Sequence, residues 1–211
     1  FASYLTTLYM ESVDPWATSL ANRRSETNMV TSLPGGSVKV DDLTNTNRIF
    51  SSRLSYYKGA RLLFMLQWIL GDDKFFQAVN QYLNDPALRY GYATTPDLKY
   101  HLENVSGQNL DYFFEQWYEG EGYPSYQVTW YPAGNNITFN IGQVTSSPSS
   151  VGFFRLPLPV LVLGANGERK LLVLDNTHNN QSFTENAGFA VVSVEFDPEA
   201  WLVTRNNTVV K

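Results

Sequence analysis

The spacing of apolar residues changes once along the chain, near residues 120–124, and this change constrains the fold more than any other feature. Before it, apolar residues recur every three or four positions, which is the spacing of helices buried on one side. After it, they alternate with polar residues, as in half-buried strands. We therefore predict an α+β chain of two segregated parts: a helical part at residues 1–122 and a small antiparallel β-sandwich at residues 123–211.

Proline and glycine divide the helical part into five or six short helices. A helix is predicted from about Ser52 to Leu70, ending at Gly71, and Asp72 is expected to cap the helix that follows. A further helix starts at residues 95–97, Thr-Pro-Asp, which combine a hydroxyl cap, an early proline and a first-turn carboxylate. Helices of this number, joined by short loops, indicate a bundle-like packing.

Six or seven short strands separated by turns are predicted in the second part, and they indicate a sandwich. Gly164-Ala-Asn-Gly167 reads as a hairpin turn between two of them. The predicted strands are at residues 126–131, 137–141, 153–163, 171–175, 181–184, 190–196 and 201–205.

Composition excludes several kinds of chemistry. The 211 residues contain no cysteine, so disulfides, thiolate metal sites and a cysteine nucleophile are all ruled out. The net charge of -5 argues against a nucleic-acid groove. His101 and His178, the two histidines, lack a second histidine at helical spacing and are interpreted as surface or packing residues. The acidic pairs at residues 41–42 and 72–73 are interpreted as a solvated loop and a helix start.

The chain is expected to be a piece of a longer protein. It opens without methionine, already inside an apolar pattern, and its first residues lack the basic segment of a secretory signal. The longest apolar run, residues 59–70, is too short to cross a membrane and indicates a buried helix. Composition leaves the compartment open, with a slight lean towards an exported bacterial protein. No complete active site can be assembled from these residues alone.

Residues 54–66 closely resemble the Tyr-x-Lys-Gly-Ala helix of the gluzincin aminopeptidases, the family of aminopeptidase N and leukotriene hydrolase. Segments similar to other family motifs follow in the family's order at residues 70–75, 90–98 and 106–117. The sandwich is similar to the family more loosely, at residues 155–159 and 194–201.

This resemblance implies that the helical part is the C-terminal lobe of a thermolysin-like catalytic domain. Residues 1–4, Phe-Ala-Ser-Tyr, resemble those that follow the family's third zinc ligand, and the family's HExxH pair lies further upstream. The chain is therefore expected to begin just after the metal site. Zinc is expected as the cofactor of the full-length parent, with no metal ligand in this fragment, which alone is expected to be inactive.

The resemblance assigns one catalytic residue, Tyr56, which lies two positions before the lysine of the Tyr-x-Lys-Gly motif. In the family this tyrosine donates its hydrogen to the oxyanion of the tetrahedral intermediate. A tyrosine hydroxyl suits the role because it is protonated at neutral pH. Tyr57 points about 100° away on an α-helix. Lys58 is interpreted as a helix-surface or ion-pairing residue, and Gly59 as a site of close backbone approach or helix packing.

The function implied is that of a zinc-dependent aminopeptidase that cleaves N-terminal residues from peptides. The alternative is a non-catalytic, aminopeptidase-like binding or scaffold module that has lost its zinc site. The expected partner of the parent is a peptide substrate, with no nucleic acid and no membrane span. An apolar face left uncovered in the fragment is expected to promote self-association.

Overall fold

A computed structural model describes all residues from Phe1 to Lys211. Helices occupy the chain up to Glu119 and strands begin at Pro124, so the predicted helical part followed by a small sandwich is confirmed. The α-helices are α1 (Ala2–Val13), α2 (Trp16–Val30), α3 (Thr46–Ile49), α4 (Gly59–Leu70), α5 (Asp72–Asn84), α6 (Thr95–Ser106) and α7 (Asp111–Phe113).

Two π-helical stretches extend these helices. Ser52–Lys58, which we call the π segment, runs directly into α4, and Phe114–Glu119 continues α7. Within the π segment the Tyr56 N–H donates to the carbonyl of Ser51, five residues earlier, at 3.3 Å. The apolar pattern predicted one uninterrupted helix here. π-Helical turns are rare and are found mostly at functional sites, so this departure from the prediction is informative.

The strands form two sheets packed as a sandwich. They are β1 (Pro124–Ala133), β2 (Asn136–Thr145), β3 (Leu156–Gly164), β4 (Arg169–Asn176), β5 (Gln181–Asn186), β6 (Val191–Phe196) and β7 (Thr208–Val210). The sheet orders are β5-β2-β1-β7 and β4-β3-β6. All pairs are antiparallel except β7 with β1, which is parallel.

The strand predicted at residues 201–205 is wrong. The carboxylate of Asp197 accepts hydrogen bonds from the backbone N–H groups of Trp201 and Leu202, at 2.8 and 2.9 Å. These donors are therefore used within a tight local turn and are not available to a neighbouring strand. The last strand forms later in the chain, as β7.

One hydrophobic core runs through both parts. A single cluster of 36 buried residues contains side chains from the helices and from both sheets. At the junction the fully buried Trp117 ring lies 4.4 Å from the Phe154 ring, centroid to centroid. The Trp68 indole N–H donates to the Pro157 carbonyl at 2.8 Å. No helix in the structure is both long enough and apolar enough to cross a membrane.

Arg61 interrupts the longest apolar run in the sequence, yet its side chain is fully buried at this junction. Its guanidinium donates to the backbone carbonyls of Ala200 and Trp201. Burial lowers the pKa of Arg61 to about 10, although nearby Glu26 opposes this shift. Arg23 lies over the Trp201 ring at 4.2 Å. Basic side chains from α2 and α4 thus hold the turn that follows β6.

Gln67, the second polar residue in that run, is also buried and changes the start of α5. It accepts a hydrogen bond from the Tyr4 hydroxyl at 2.8 Å and donates to the Asp72 carboxylate at 2.9 Å. The predicted helix cap by Asp72 is therefore wrong, because its carboxylate is taken by Gln67 and the cap position is occupied by Gly71.

Helix α1 buries one side and exposes an apolar row on the other. Tyr4 is buried, whereas Leu5 is 51% exposed and Tyr9 is 66% exposed. The exposed row continues at four-residue spacing on one side of the helix. We call this row, formed by Phe1, Leu5, Tyr9 and Val13, the open face.

Candidate active site

Tyr56 lies on the outside of the π segment with its ring 45% exposed. Leu54 and Lys58, on either side of it in the sequence, are buried. The side-chain hydrogen bonds around it are made by Arg53, Ser55 and Lys58, and none involves the Tyr56 hydroxyl. The phenol is therefore not a packed core residue, and its hydrogen is available to a ligand.

The two sequence neighbours of Tyr56 border different grooves. Ser55 borders a groove of about 290 Å³ that Phe1 also lines. Tyr57 borders a second groove, of about 260 Å³, that includes Thr7 of α1 and Glu26 of α2. Tyr56 itself lines neither groove; it lies between Ser55 and Tyr57 in the sequence, and the two grooves reach Phe1 and α1 respectively.

The first groove is mainly apolar. Its hydrophobic lining includes Phe1, Val38, Leu62, Leu63, Leu66, Tyr82, Leu98, Phe113 and Phe114. The Phe1 and Tyr82 rings stack at 5.8 Å across one end of it. A concave apolar surface of this size can hold an apolar side chain of a ligand.

Lys58 is buried, with 1% of its surface exposed, so the predicted surface or ion-pairing role is wrong. Its ammonium donates to the carbonyls of Gly36 at 2.8 Å and Gly120 at 3.4 Å. Burial, assisted by the positive charge of Arg53, lowers the pKa of Lys58 to about 8. Because lysine rarely lies fully buried without an acidic partner, helical spacing alone could not reveal this arrangement.

Two glycines at the site are crowded, but neither is Gly59, the glycine that the sequence indicated. A Cβ atom added to Gly59 would meet Val38 at 3.8 Å and the Leu54 carbonyl at 3.9 Å, which are ordinary contacts. The expectation of close backbone approach at Gly59 is therefore wrong. An added Cβ would instead be crowded at Gly36 and Gly120, whose carbonyls hold Lys58.

Two arginines hold the loop that precedes the π segment. Arg53 donates to the Gly35 carbonyl at 2.9 Å, and Arg48 donates to the Lys39 carbonyl at 2.7 Å. Sequence reasoning missed this role. One signal was available in the sequence: Arg48, Arg53 and Lys58 follow a glycine-rich loop at five-residue spacing. In the structure all three donate to carbonyl groups of that loop.

The histidines and acidic pairs are not brought together. His101 lies 3.0 Å from the Asp85 carboxylate and packs against Tyr82, as expected of a packing residue. His178 lies in a turn of the sandwich near Thr177. No group of three or more His, Cys, Asp or Glu side chains in residues 1–211 is arranged to hold a metal ion.

The structure thus combines a helical lobe that presents an exposed tyrosine with a sandwich that follows it. Residues 1–117 match the family described as "Peptidase family M1 domain". The chain belongs to peptidase family M1, which agrees with the resemblance to gluzincin aminopeptidases.

Individual relatives support the same family. Tricorn protease-interacting factor F2 of Thermoplasma acidophilum is 28% identical over 188 residues, which cover 82% of this chain and 23% of that protein. Aminopeptidase M1-C of Oryza sativa subsp. japonica is 30% identical over 144 residues, covering 68% of this chain and 16% of that protein. This chain thus spans less than a quarter of the length of either relative.

The fold also occurs in a solved structure. The crystal structure of Legionella pneumophila aminopeptidase A, determined in complex with aspartic acid, matches 99% of this chain with a TM-score of 0.67 and 17% identity. The match covers 23% of the solved chain. It supports the arrangement of a helical lobe followed by a sandwich.

Proposed function

We propose that this chain is part of a zinc-dependent aminopeptidase that cleaves N-terminal residues from peptides, with Tyr56 stabilising the oxyanion. One observation supports this most: Tyr56 carries the tyrosine position of the Tyr-x-Lys-Gly motif and is exposed, one residue from Ser55 in the wall of the first groove. The family membership of the chain and the aminopeptidase names of relatives support the reaction class.

The chemical role of Tyr56 follows from its hydrogen. When water adds to a peptide carbonyl, negative charge develops on the carbonyl oxygen. A neutral phenol within about 3 Å of that oxygen donates a hydrogen bond that strengthens as the charge grows. Losing one such donor typically raises the barrier by roughly 2.7–4 kcal/mol.

The zinc of this proposal is not assigned to residues of this chain, because they include no arrangement of side chains able to hold a metal. We therefore derive no step through it. We propose that residues outside these 211 bind the zinc and that the chain alone is inactive. Residues 1–122 would then be the helical part of the catalytic domain, and residues 123–211 a separate sandwich domain of the parent.

The test is the Tyr56→Phe substitution in the parent enzyme, with Tyr57→Phe as the matched control. We expect Tyr56→Phe to lower kcat on an aminoacyl substrate by about 10²–10³-fold, because it removes a single oxyanion donor. KM should change little, since the hydroxyl acts on charge that develops in the transition state. Tyr57→Phe should keep near-normal turnover.

Near-normal turnover by Tyr56→Phe would contradict the site assignment, and a large loss in Tyr57→Phe alone would move the assignment by one residue. A parent that binds peptides but releases no N-terminal residue would instead support the alternative, a binding module. Steady-state kinetics with amino acid release by mass spectrometry distinguishes these outcomes.

We further propose that the open face packs against the remainder of the parent protein. Exposed apolar rows of this kind are unusual on a monomer and mark surfaces that meet a partner. In the isolated chain the same surface is left uncovered, and we propose that it promotes self-association.

A further inference from the structure

The Lys58 ammonium is buried without an acidic hydrogen-bond partner. Both its acceptors are backbone carbonyls, of Gly36 and Gly120. The negative charge of Glu121 acts to raise the Lys58 pKa, but its carboxylate accepts a hydrogen bond from the Gly36 N–H, at 3.2 Å, and none from Lys58. Placing a charge in the interior costs free energy unless hydrogen bonds compensate. The arrangement of the two carbonyls therefore needs an explanation beyond packing.

Both acceptors are fixed in space. Gly36 has a φ of +97°, and a Cβ added there would lie 2.8 Å from the Leu54 side chain. A Cβ added to Gly120 would lie 2.4 Å from the Gln116 carbonyl oxygen. The Gly36 backbone therefore lies close against the π segment, and the Gly120 backbone is held against Gln116 and Val151. Both carbonyls lie within reach of the ammonium.

The π segment depends on such contacts outside its own backbone. π-Helical turns are rare because their backbone geometry is less favourable than that of an α-helix. The Ser51 hydroxyl accepts from the Leu54 N–H at the start of the segment, at 3.3 Å. Arg53 donates a hydrogen bond to the Gly35 carbonyl. Lys58, two residues after Tyr56, makes the corresponding hydrogen bond at the end of the segment, to the Gly36 carbonyl.

We propose that Lys58 is a positioning residue for Tyr56: its two hydrogen bonds to glycine carbonyls fix the π turn that carries the phenol. The inference rests on the proposed oxyanion role of Tyr56. Lys58 is buried on the inner side of the turn and has no direct access to a substrate. Lys58 acts by keeping the Tyr56 hydroxyl at hydrogen-bonding distance from the oxyanion. A displacement of about 1 Å in such placement can lower the rate by about 100-fold.

A double-mutant cycle in the parent enzyme tests this. We expect Lys58→Met, which keeps the length of the side chain and removes its donors, to lower kcat by about 10- to 100-fold with KM within about twofold. In the Tyr56→Phe background the same substitution should change kcat by less than about twofold, because no hydroxyl remains to be positioned. Lys74→Met is the matched control, since Lys74 also donates to a carbonyl, that of Ser106, at 3.0 Å.

Amide hydrogen exchange on the 211-residue chain provides a second, independent readout. Lys58→Met should increase exchange in the π segment while leaving α5 and α6 protected, which shows that the variant is folded. Lys74→Met should leave exchange in the π segment unchanged. Unchanged protection of the π segment in Lys58→Met would overturn the inference.

The kinetic outcomes separate this inference from the proposed function. Suppose that Tyr56→Phe lowers kcat and that the kcat losses of Tyr56→Phe and Lys58→Met multiply in the double variant. Lys58 then acts only through general folding, so the positioning role fails while the oxyanion role stands. The same holds if Lys58→Met keeps kcat within about twofold. If Tyr56→Phe keeps near-normal turnover, the oxyanion role fails and the positioning role fails with it.

Discussion

The helical part has two apolar sides, and only one of them is covered. On the side that meets the sandwich, Trp117 packs against Phe154 and Arg61 is tied to the turn at Ala200. On the other side, the open face presents Leu5 and Tyr9 to solvent. Both sides follow helical apolar spacing, so spacing identifies a surface that can be buried but not what buries it.

This difference teaches where the stability of the chain resides. Burial of apolar area stabilises the fold only where a partner surface removes that area from water. The covered side, including the junction with the sandwich, should therefore contribute strongly to the stability of the helical part, and the open face almost nothing. The predictions below test that contrast, beginning with the largest effect.

Trp117→Ala should destabilise the chain by about 3–5 kcal/mol, because it removes a fully buried indole and leaves a cavity at the junction. Tyr9→Ala, on the open face, should change the free energy of unfolding by less than about 0.5 kcal/mol. Urea unfolding followed by circular dichroism measures both. Similar losses in the two variants would break the contrast between the sides.

The next effect concerns pH and the buried Lys58. Its pKa is lowered to about 8 in the folded chain by burial, from 10.5 in the unfolded chain. Above pH 8 the folded state releases this proton while the unfolded state retains it, so the free energy of unfolding rises with pH. Between pH 8 and pH 10 this group should add about 2 kcal/mol.

Comparing the chain with its Lys58→Met variant isolates that contribution. The difference in unfolding free energy between the two should change with pH across this window, and other groups should cancel. Burial raises the pKa of Tyr4 and Tyr126, which acts in the opposite direction but only above pH 10. A difference independent of pH would mean that Lys58 is not desolvated.

The sequence yields a candidate site because Tyr56 belongs to a compact motif, and its catalytic role stays a prediction. The change of apolar spacing near residue 120 correctly separates helices from strands. The environment of Lys58 could not be predicted, because its two acceptors are carbonyls 22 and 62 residues away. A carbonyl is present at every residue, so no residue type marks which ones will serve.

The π segment and the turn at Asp197 escaped prediction for related reasons. The π segment has seven residues, less than two turns of an α-helix, which is too short for apolar spacing to separate the two kinds of helix, so the pattern indicates one helix. Residues 201–205 have the apolar content of a strand, but the Asp197 carboxylate binds two of the backbone N–H groups involved. Local competition for backbone donors therefore overrides propensity.

Substitutions on the open face should have the smallest effect on stability but a clear effect on self-association. Replacing Leu5 and Val13 together with lysine should change the free energy of unfolding by less than about 0.5 kcal/mol, because both side chains are exposed. It should nonetheless shift the chain towards monomer in sedimentation velocity, since charges on the open face must be desolvated when two copies meet. The control is lysine at Leu43 and Val144, which are at least as exposed, at 78% and 62%, and are not part of α1. If the control dissociates the chain equally well, or if the unmodified chain is monomeric at high concentration, then the open face has no special role and its exposure does not mark a missing partner.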